Sequence, residues 1–495
     1  MPRLSNILLF EPAPLASLQN RPWSSWLVVG LVCVGAFVGQ VDATIVQLAL
    51  PTLGHVYDAP LQTISWVALS YLLAYASFLP IFGRLCEILG RKSLYIAGYM
   101  LFILASALCG LAASLEQLLA FRFLQGIGGA LLGANSLSIL VATVPAESRG
   151  RALGLYAAAQ AIGMSAGPAL GGFILEALGW RWIFWVTVPF GAAAVILGWL
   201  ALPRSSARGV RQAFDWGGML LVGPALILLV AALNHLSSWG LVSPYTIGCI
   251  AVAAALFWLL FRHEAASPSP LINPRLYRTA AYRSGALAVT LAYALLYAMF
   301  FLMSFALEHG YGETPSHAGL RLALIPVALG LTALFSHDLK SWLGSSRIAV
   351  AGMLLCLCGV TTLLFTLKLS PDHHVYDTLA FILIGTGLGL FIAPNFNATI
   401  ADVTPDLHGP AGSLLNLMRA LGTSLGVAAG ATTLNWRLEA QTGAVHGWQS
   451  SSSESLLAAV RESLPVLIVI AVVAALTARA AAAGARPDAE TSQPR

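Results

Sequence analysis

Charged residues are scarce in this chain of 495 residues. Only 9% are Asp, Glu, Lys or Arg, whereas 58% are apolar and the mean hydropathy is +0.79. A soluble globular protein carries roughly 25% charged residues. The shortage therefore excludes a soluble enzyme, a nucleic-acid-binding protein and a disordered chain. The formal net charge of +5 matters only through the positions of its carriers.

Cysteine is also scarce, and its six copies form neither a Cys-x-x-Cys pair nor a Cys/His cluster at metal-ligand spacing. The sequence therefore predicts no disulfide framework and no metal site. It also lacks a Ser/His/Asp constellation, a His-Glu-x-x-His motif and a Walker loop. His373 and His374 beside Asp372 could bind a metal, although an exposed polar turn is the simpler explanation. We expect neither an enzyme nor a cofactor.

Long apolar runs are what the chain has in abundance. A bilayer core about 30 Å thick needs roughly 20 apolar residues per helix. The first run is too long for a signal peptide, and the runs lack the alternation of a membrane barrel. The predicted spans are residues 24–50, 61–82, 93–113, 117–144, 151–175, 182–202, 215–233, 244–261, 284–306, 317–336, 346–367, 375–402, 411–434 and 462–483.

Lys and Arg are distributed unevenly between the connections. With a cytoplasmic N-terminus, the inner segments carry 19 of the 26 Lys and Arg, the outer segments carry 4, and 3 lie within spans. The positive-inside rule then predicts an integral protein of the cytoplasmic (inner) membrane with both termini cytoplasmic. Longer hydrophilic connections occur at 203–214, 262–283 and 435–461. We expect the last one to be external and mobile.

Four short motifs interrupt the apolar runs. Span 1 contains Asp42 within Asp-Ala-Thr-Ile-Val-Gln. The turn after span 2 contains Gly83, Glu87, Gly90, Arg91 and Lys92, span 4 contains Arg122 and Gln125, and span 5 contains Gly163, Gly167, Pro168, Gly171 and Gly172.

Together these motifs resemble the major facilitator superfamily, in its fourteen-span drug:proton antiporter branch. The span 5 residues match the antiporter signature GxxxGPxxGG at every fixed position. Two departures are visible in the turn, because the family usually has Asp where Glu87 stands and a basic residue where Ile88 stands. The corresponding turn of the second half keeps only a partial version of this motif, around His337, Asp338, Lys340, Gly344 and Arg347.

The resemblance implies the fold and the domain organisation. It implies an all-α polytopic membrane protein, with two six-helix bundles and two inserted central helices that give fourteen transmembrane helices. We accordingly predict a cytoplasmic N-terminal segment at 1–23 and a first bundle at 24–202. Linkers with the inserted spans follow at 203–283, then a second bundle at 284–483 and a cytoplasmic tail at 484–495.

The resemblance also implies an activity. It predicts a proton-coupled antiporter that exports lipophilic drugs or toxic compounds by alternating access. Its partners would be a lipophilic small molecule, protons and the lipid bilayer. The sequence leaves open whether it also works with a periplasmic adaptor and an outer-membrane channel. Two alternatives remain, an exporter of one endogenous metabolite on the same fold and a non-transporting membrane sensor.

Asp42 is the candidate for proton coupling, because a carboxylate in a span costs several kcal/mol unless it is paired or hydrated. Arg122 would be its partner in a neighbouring helix, as the resemblance implies. The alternative is a static ion pair that steadies spans 1 and 4. Gln125 would bind the partner of Arg122 or line the cavity, unless it is a helix-contact amide.

The span 5 glycines recur every four residues and so share one helical stripe, where small residues allow close packing. Pro168 favours a kink. The resemblance implies a bend and seal that prevents proton leak, whereas generic helix packing is the alternative. For Gly83, Glu87, Gly90, Arg91 and Lys92 it implies a cytoplasmic conformational latch. The alternative there is a turn of positive-inside residues.

Several aromatic and basic residues are candidates for the cavity. Tyrosines at helical spacing in spans 2 and 9 would hold planar lipophilic cations by cation–π contact, or else serve as packing or interfacial anchors. Arg419 either faces the cavity or is satisfied by backbone carbonyls. Arg321 is predicted to snorkel, and Asp215 is predicted to cap or flank span 7. The aromatic candidates are Tyr71, Tyr75 and Trp66 in span 2 and Tyr293, Tyr297 and Phe301 in span 9.

Overall fold

We analysed a computed structural model of the chain. It describes residues 11, 14–15, 17, 21, 23–205, 215–267, 270, 272–369, 373–401, 403–404, 407–442 and 447–484. The predictions made for most of the segment 1–23, for the linker 206–214, for Asp372 and for the tail beyond residue 484 lie outside these residues.

The described residues contain 14 helices that are long and apolar enough to cross a membrane, as the sequence predicts. A short helical turn, Trp182–Trp185, precedes the sixth, and a π-helical turn, Ala306–Gly310, follows the ninth. The long helices are α1 Ser24–Val56, α2 Leu61–Leu89, α3 Arg91–Leu111, α4 Leu115–Thr143, α5 Arg149–Leu178, α6 Thr187–Ala201, α7 Trp216–Asn234, α8 Pro244–Ala266, α9 Ala280–Phe305, α10 Pro315–Leu343, α11 Ser345–Thr366, α12 His373–Ala401, α13 His408–Thr442 and α14 Ser453–Gly484.

The predicted connection over 435–461 is wrong for most of its length. Helix α13 continues to Thr442, a short helix forms at Gly447–Ser450, and α14 begins at Ser453. Trp448 is only 2% exposed and belongs to the hydrophobic core. Polar residues can continue a helix beyond the hydrocarbon core, so a Ser-rich sequence did not mark the helix ends here.

The helices form two bundles with the same internal packing. In the first bundle α1 packs on α5, α4 packs on α2 and α3, and α6 packs on α3 and α1. The second bundle repeats these contacts eight helices later, with α9 on α13 and α12 on α10 and α11. The bundles meet where α2 packs on α13 and α5 packs on α10. A shift of eight helices exchanges these two contacts, which is the mark of a two-fold repeat.

Helices α7 and α8 pack on each other, and α7 also contacts α2 and α13. Asp215 caps α7, as predicted, because its Oδ1 accepts the Gly218 N–H at 2.9 Å. The same oxygen lies 2.6 Å from Nε2 of His263 on α8. Burial would raise the pKa of the Asp215 carboxyl, but these hydrogen bonds hold it below its usual range.

The predicted turn between α2 and α3 is shorter than expected. Gly90 alone separates the two helices, and its φ of +104° lies in a region that L side chains rarely adopt. Gly83 does not bound the turn, because it lies within α2, and a methyl group added there would have no atom within 4 Å. Gly344, with φ +80°, separates α10 from α11 in the same way.

We call the end of the molecule at which α1 begins the N-side, and the end at which α1 finishes the far side. The bundles are joined at the far side. There the Thr52 hydroxyl of α1 lies 3.3 Å from the Glu308 carboxylate in the turn after α9. Trp448 packs against Gly54 and donates its Nε1–H to the Ala59 carbonyl at 3.1 Å. These contacts bring the two bundles together beyond the middle of the membrane span.

Candidate functional site

Asp42, Arg122 and Gln125 form one buried hydrogen-bonded cluster between α1 and α4. Arg122 Nη1 donates to Asp42 Oδ2 at 2.8 Å and to Gln125 Oε1 at 2.6 Å. Gln125 Nε2 donates to Asp42 Oδ1 at 2.7 Å. All three side chains are at most 1% exposed. The two residues that the sequence brings forward as an ion pair therefore do pair, and Gln125 binds both of them.

Neighbouring helices hold this cluster in place. The Arg122 Nε–H donates to the Val67 carbonyl of α2 at 3.0 Å, and its guanidinium lies 4.4 Å from the centre of the Tyr71 ring. Gln125 Nε2 also donates to the Ser106 hydroxyl of α3 at 3.0 Å. Sequence reasoning missed Val67 and Ser106, because a backbone carbonyl and a serine in an apolar run carry no signal.

A cavity lies between the bundles beside this cluster. It contains about 610 Å³ free of protein atoms, part of it open to solvent, and six helices, α1, α2, α4, α5, α9 and α13, contribute to its wall. The Tyr71 ring contacts Arg122 and also lines the cavity, so it separates the ion pair from the cavity. The polar and aromatic lining residues are Gln40, Tyr71, Tyr75, Ser136, Tyr156, Gln160, Tyr297, Arg419 and Thr423.

Four of the predicted cavity residues, Tyr71, Tyr75, Tyr297 and Arg419, line this cavity. Arg419 Nη2 donates to the Tyr75 hydroxyl at 3.5 Å, and its guanidinium lies 5.7 Å from the centre of the Tyr293 ring. Tyr293 thus supports Arg419 without being part of the wall.

The other cavity candidates lie elsewhere. Gln125 faces the ion pair rather than the cavity. Trp66 lies beside His235, and Phe301 is fully buried against Phe305. Their spacing along spans 2 and 9 could not distinguish cavity positions from packing positions, because both face the interior of a bundle.

The span 5 motif packs α5 against both bundles. A methyl group at Gly163 would lie 2.6 Å from the Phe37 carbonyl of α1, and one at Gly171 would lie 2.6 Å from the Ile45 side chain. At Gly167 the same group would collide with Thr44. These three glycines therefore allow the close approach of α1.

Gly172 and Pro168 contribute to the contact with the second bundle. Gly172 lies against the Pro315 carbonyl at the start of α10, and Gly319 of α10 lies against the Pro168 carbonyl. The Ser316 N–H donates to the Glu176 carboxylate of α5 at 3.1 Å. The motif thus lies on the interface between the bundles, towards the far side.

The residues of the predicted latch bind within the first bundle. The Arg91 N–H donates to the Ser205 hydroxyl at 2.8 Å, and Lys92 Nζ donates to the Leu202 carbonyl at 2.7 Å. Ser205 also donates its N–H to the Glu11 carboxylate at 2.7 Å. These bonds tie the start of α3 to the end of α6. The Glu87 side chain, and those of the second-half counterparts His337, Asp338 and Lys340, lie outside the described residues.

The prediction that Arg321 snorkels is wrong. Its side chain is 12% exposed and forms ion pairs with Glu313 and with Asp377, the latter at 3.1 Å. His374 Nδ1 lies 3.5 Å from the same Glu313 carboxylate. Carboxylates from two neighbouring segments satisfy the guanidinium inside the bundle, so it has no need to reach the interface.

Known proteins with similar sequences include several transporters. The riboflavin transporter RibZ of Clostridioides difficile is 30% identical over 407 residues, which cover 81% of this chain and 87% of that protein. The tetracenomycin C resistance and export protein of Streptomyces glaucescens is 30% identical over 84% of this chain and 76% of its own. The multidrug resistance protein Stp of Mycobacterium tuberculosis is 30% identical over 80% and 73%.

Solved structures show the same fold at lower identity. A D-xylose–proton symporter aligns with a TM-score of 0.65 at 13% identity, over 92% of this chain and 97% of its own. A bacterial homologue of the human lysosomal transporter Spinster, in an inward-facing and unoccupied conformation, aligns with a TM-score of 0.64 at 16% identity. That alignment covers 94% of this chain and 98% of the homologue.

The sequence profile described as Major Facilitator Superfamily matches residues 32–217 and 204–427. This match covers most of the chain, and it agrees with the fourteen helices and with the repeat of eight helices described above. The chain therefore belongs to the major facilitator superfamily, in the branch that contains drug-efflux proteins.

Proposed function

We propose that this protein is a proton-coupled antiporter that exports lipophilic compounds across the cytoplasmic membrane by alternating access. The observation that carries the proposal is the position of the Asp42–Arg122 pair. It is fully buried, and the Tyr71 ring that contacts Arg122 also lines the cavity between the bundles. A titratable group in that position can couple a proton to the state of the cavity.

Asp42 is the proposed proton-binding residue. Its two carboxylate oxygens accept hydrogen bonds from Arg122 and Gln125. Protonation would remove the charge that pairs with Arg122 and would leave the guanidinium without its counter-ion. The attraction between the two side chains would then weaken, and a shift of Arg122 would be transmitted to the Tyr71 ring that lines the cavity. Proton binding and the shape of the cavity are therefore linked through one side chain.

Alternating access would proceed by opening the far-side contacts. In this structure Thr52, Glu308 and Trp448 join the bundles beyond the cavity. A substrate would enter the cavity from the N-side, which we place in the cytoplasm. Opening the far side while the N-side closes would release it outside, and protons entering from outside would reset the cycle. Two further predictions are retained as proposals. These are the cytoplasmic latch around Arg91 and the residue boundaries of the two bundles.

The relatives support export of organic compounds, because two of the three named above are a resistance and export protein and a multidrug resistance protein. The riboflavin transporter favours a second candidate, an exporter dedicated to one metabolite. Both candidates use the same cavity and differ in the range of substrates. An adaptor protein and an outer-membrane channel remain a proposal for either candidate.

The test is dye uptake into energised inverted membrane vesicles. We would measure one cationic dye, ethidium, and one anionic dye, fluorescein, with and without a proton uncoupler. We expect uncoupler-sensitive uptake of at least one dye by the wild type, and a loss to the uncoupled level in Asp42→Asn. Asp215→Asn is the matched control, since Asp215 is a buried carboxylate outside the cavity and Asn also caps a helix.

Two results would count against the proposal. Uptake that persists in the presence of the uncoupler would remove proton coupling. Equal uptake by the wild type and by Asp42→Asn would remove Asp42 from the coupling path. Vesicles that accumulate neither dye would favour the dedicated metabolite exporter or a non-transporting sensor.

A further inference from the structure

Arg419 gives the cavity a positive charge that the described residues do not neutralise. Among the described residues that line the cavity, it is the one charged side chain. Its contacts in the described part of the chain are the Tyr75 hydroxyl at 3.5 Å and the Tyr293 ring, and no carboxylate pairs with it there. Asp42 is 0% exposed and already pairs with Arg122, so that pair adds no net charge. The cavity as a whole therefore carries the charge of Arg419.

An uncompensated guanidinium in the middle of a membrane protein is costly. Tyrosine rings and a hydroxyl at 3.5 Å stabilise it only in part, because a ring offers about 0.5–2 kcal/mol to a cation. A guanidinium carries five N–H donors in a planar fork that matches a carboxylate or another planar oxyanion. Arg321 shows how this chain satisfies a buried arginine where no ligand is needed, since it has two carboxylate partners.

The rest of the wall favours a flat aromatic ligand. Tyr71, Tyr75, Tyr156 and Tyr297 present their rings or hydroxyl groups to the cavity. In the α1 part of the wall, a methyl group added at Gly39 would have no atom within 4 Å, so the space beside this backbone is open. Aromatic rings stack on each other at centroid distances of about 4.5–7 Å. A planar ligand can thus lie against the tyrosines while its charged group reaches Arg419.

We propose that the cavity binds planar aromatic compounds that carry an ionised acidic group, with that group paired to Arg419. This proposal rests on the proposed function and specifies its substrate class. It also reverses the expectation that the tyrosines hold lipophilic cations. A cationic dye would stack on the same rings but would meet the like charge of Arg419, and no carboxylate in the described cavity wall compensates for it.

The first test is binding, which does not depend on transport. We would titrate the purified full chain in detergent into fluorescein or ethidium and follow fluorescence anisotropy. We expect fluorescein to bind the wild type, and Arg419→Gln to bind it about tenfold to hundredfold more weakly, because a charge-assisted pair is lost. Arg419→Lys should fall between the two, since it keeps the charge but not the planar fork.

Arg437→Gln is the matched control. Arg437 lies on the same helix, α13, but its partner is Glu462 at 3.6 Å, and its side chain is 42% exposed outside the cavity. The Arg437→Gln variant should bind fluorescein as tightly as the wild type does. Ethidium should bind the wild type more weakly than fluorescein does, and Arg419→Gln should narrow or reverse that preference.

The outcomes separate this proposal from the proposed function. Fluorescein that binds in an Arg419-dependent way, while energised vesicles take up neither dye, would support the ligand class and count against the proposed drug antiporter. Ethidium that is transported while fluorescein neither binds nor moves would contradict the ligand class and leave the antiporter standing. An equal loss of both dyes in Arg419→Gln would show that Arg419 shapes the cavity without selecting charge, and would also overturn the proposal.

Discussion

The two oxygens of the Asp42 carboxylate depend on different donors. Oδ2 accepts from Arg122 and Oδ1 from Gln125, while the amide oxygen of Gln125 accepts from Arg122. The amide therefore serves both members of the ion pair. Its oxygen and its NH₂ group are both used, so it positions the pair and also links α4 to α1 and α3.

Gln125→Ala should destabilise the protein and impair coupling together. The change leaves Asp42 Oδ1 buried without its described donor, which costs about 1–3 kcal/mol. We expect a lower melting temperature in detergent and a larger relative loss of uncoupler-sensitive uptake. Gln117→Ala on the same helix is the control, because the exposed Gln117 amide loses a bond of similar length, to the Ala113 N–H at 3.0 Å, without touching the ion pair. If the two variants melt alike, the amide does not hold the carboxylate.

For single residues, the sequence identified candidate site residues wherever a charged side chain interrupts an apolar run. Asp42 and Arg122 stand out for that reason, and they do form a pair. The partners of Arg321 could not be predicted. Glu313 lies in the segment before α10, and Asp377 lies 56 residues along the chain in α12. The pairing depends on how α12 packs on α10. A single sequence does not contain that information.

Helix α5 packs on both bundles, since one of its faces touches α1 and another touches α10. Its glycines differ in what surrounds them. At Gly167 a methyl group would lie 3.0 Å from the Thr44 Cβ and 3.1 Å from the Val41 carbonyl. At Gly154, on the same helix, nothing lies within 4 Å of that position. The motif is therefore needed for close packing and not for flexibility of the helix as such.

This contrast predicts opposite effects for the same substitution. Gly167→Ala should lower stability by about 1–3 kcal/mol, because α1 must move to make room for the methyl group. Gly154→Ala should raise it by up to about 1 kcal/mol, through the higher helix propensity of alanine. Melting curves of the two variants in detergent check this difference. A Gly167→Ala variant as stable as the wild type would show that α1 and α5 are not held together by this face.

The existence and order of the helices could be predicted, because an apolar run of about 20 residues has few alternatives in a membrane protein. The ends could not. Helix α13 was expected to stop at residue 434 and runs to Thr442, and the turn at Gly90 is one residue long. The change from apolar to polar residues marks the edge of the hydrocarbon core. The helix itself ends where its backbone no longer forms intrahelical hydrogen bonds, and this point can lie several residues further on.

For the whole molecule, the state of the far side depends on a small set of contacts between the bundles. Trp448 follows α13 in the chain, yet it packs on Gly54 and binds the Ala59 carbonyl of the first bundle. Its ring lies 5.2 Å from the Phe305 ring and 4.7 Å from the His55 ring. This one side chain therefore bridges the two bundles at the end that would open for release in the proposed cycle.

Trp448→Ala should shift the protein towards a state with an open far side. Spin labels at Leu178 and Leu369, exposed residues of opposite bundles, would report the separation by double electron–electron resonance in a background without the native cysteines. We expect a second, longer distance in the variant. Trp448→Phe keeps a ring but loses the bond to Ala59, so it should show a smaller change.

Trp182→Ala serves as the control for this measurement. Trp182 also lies at the far side but is 44% exposed, and its ring packs on Trp185 within the first bundle. It should leave the label distances unchanged. Distances that stay the same in Trp448→Ala, despite a lower melting temperature, would mean that the tryptophan contributes packing energy without controlling the gate.

The direction of transport depends on which side of the membrane the N-side occupies. The uneven distribution of Lys and Arg predicts a cytoplasmic N-side. Cysteines placed at Leu241, 73% exposed in the far-side turn between α7 and α8, and at Ala266, exposed at the N-side end of α8, would test it in the cysteine-free background. We expect a membrane-impermeant maleimide to label Leu241→Cys in intact cells and Ala266→Cys only after lysis. The reverse pattern would place the joined far side in the cytoplasm and the entrance of the cavity outside, so the same geometry would then support uptake rather than export.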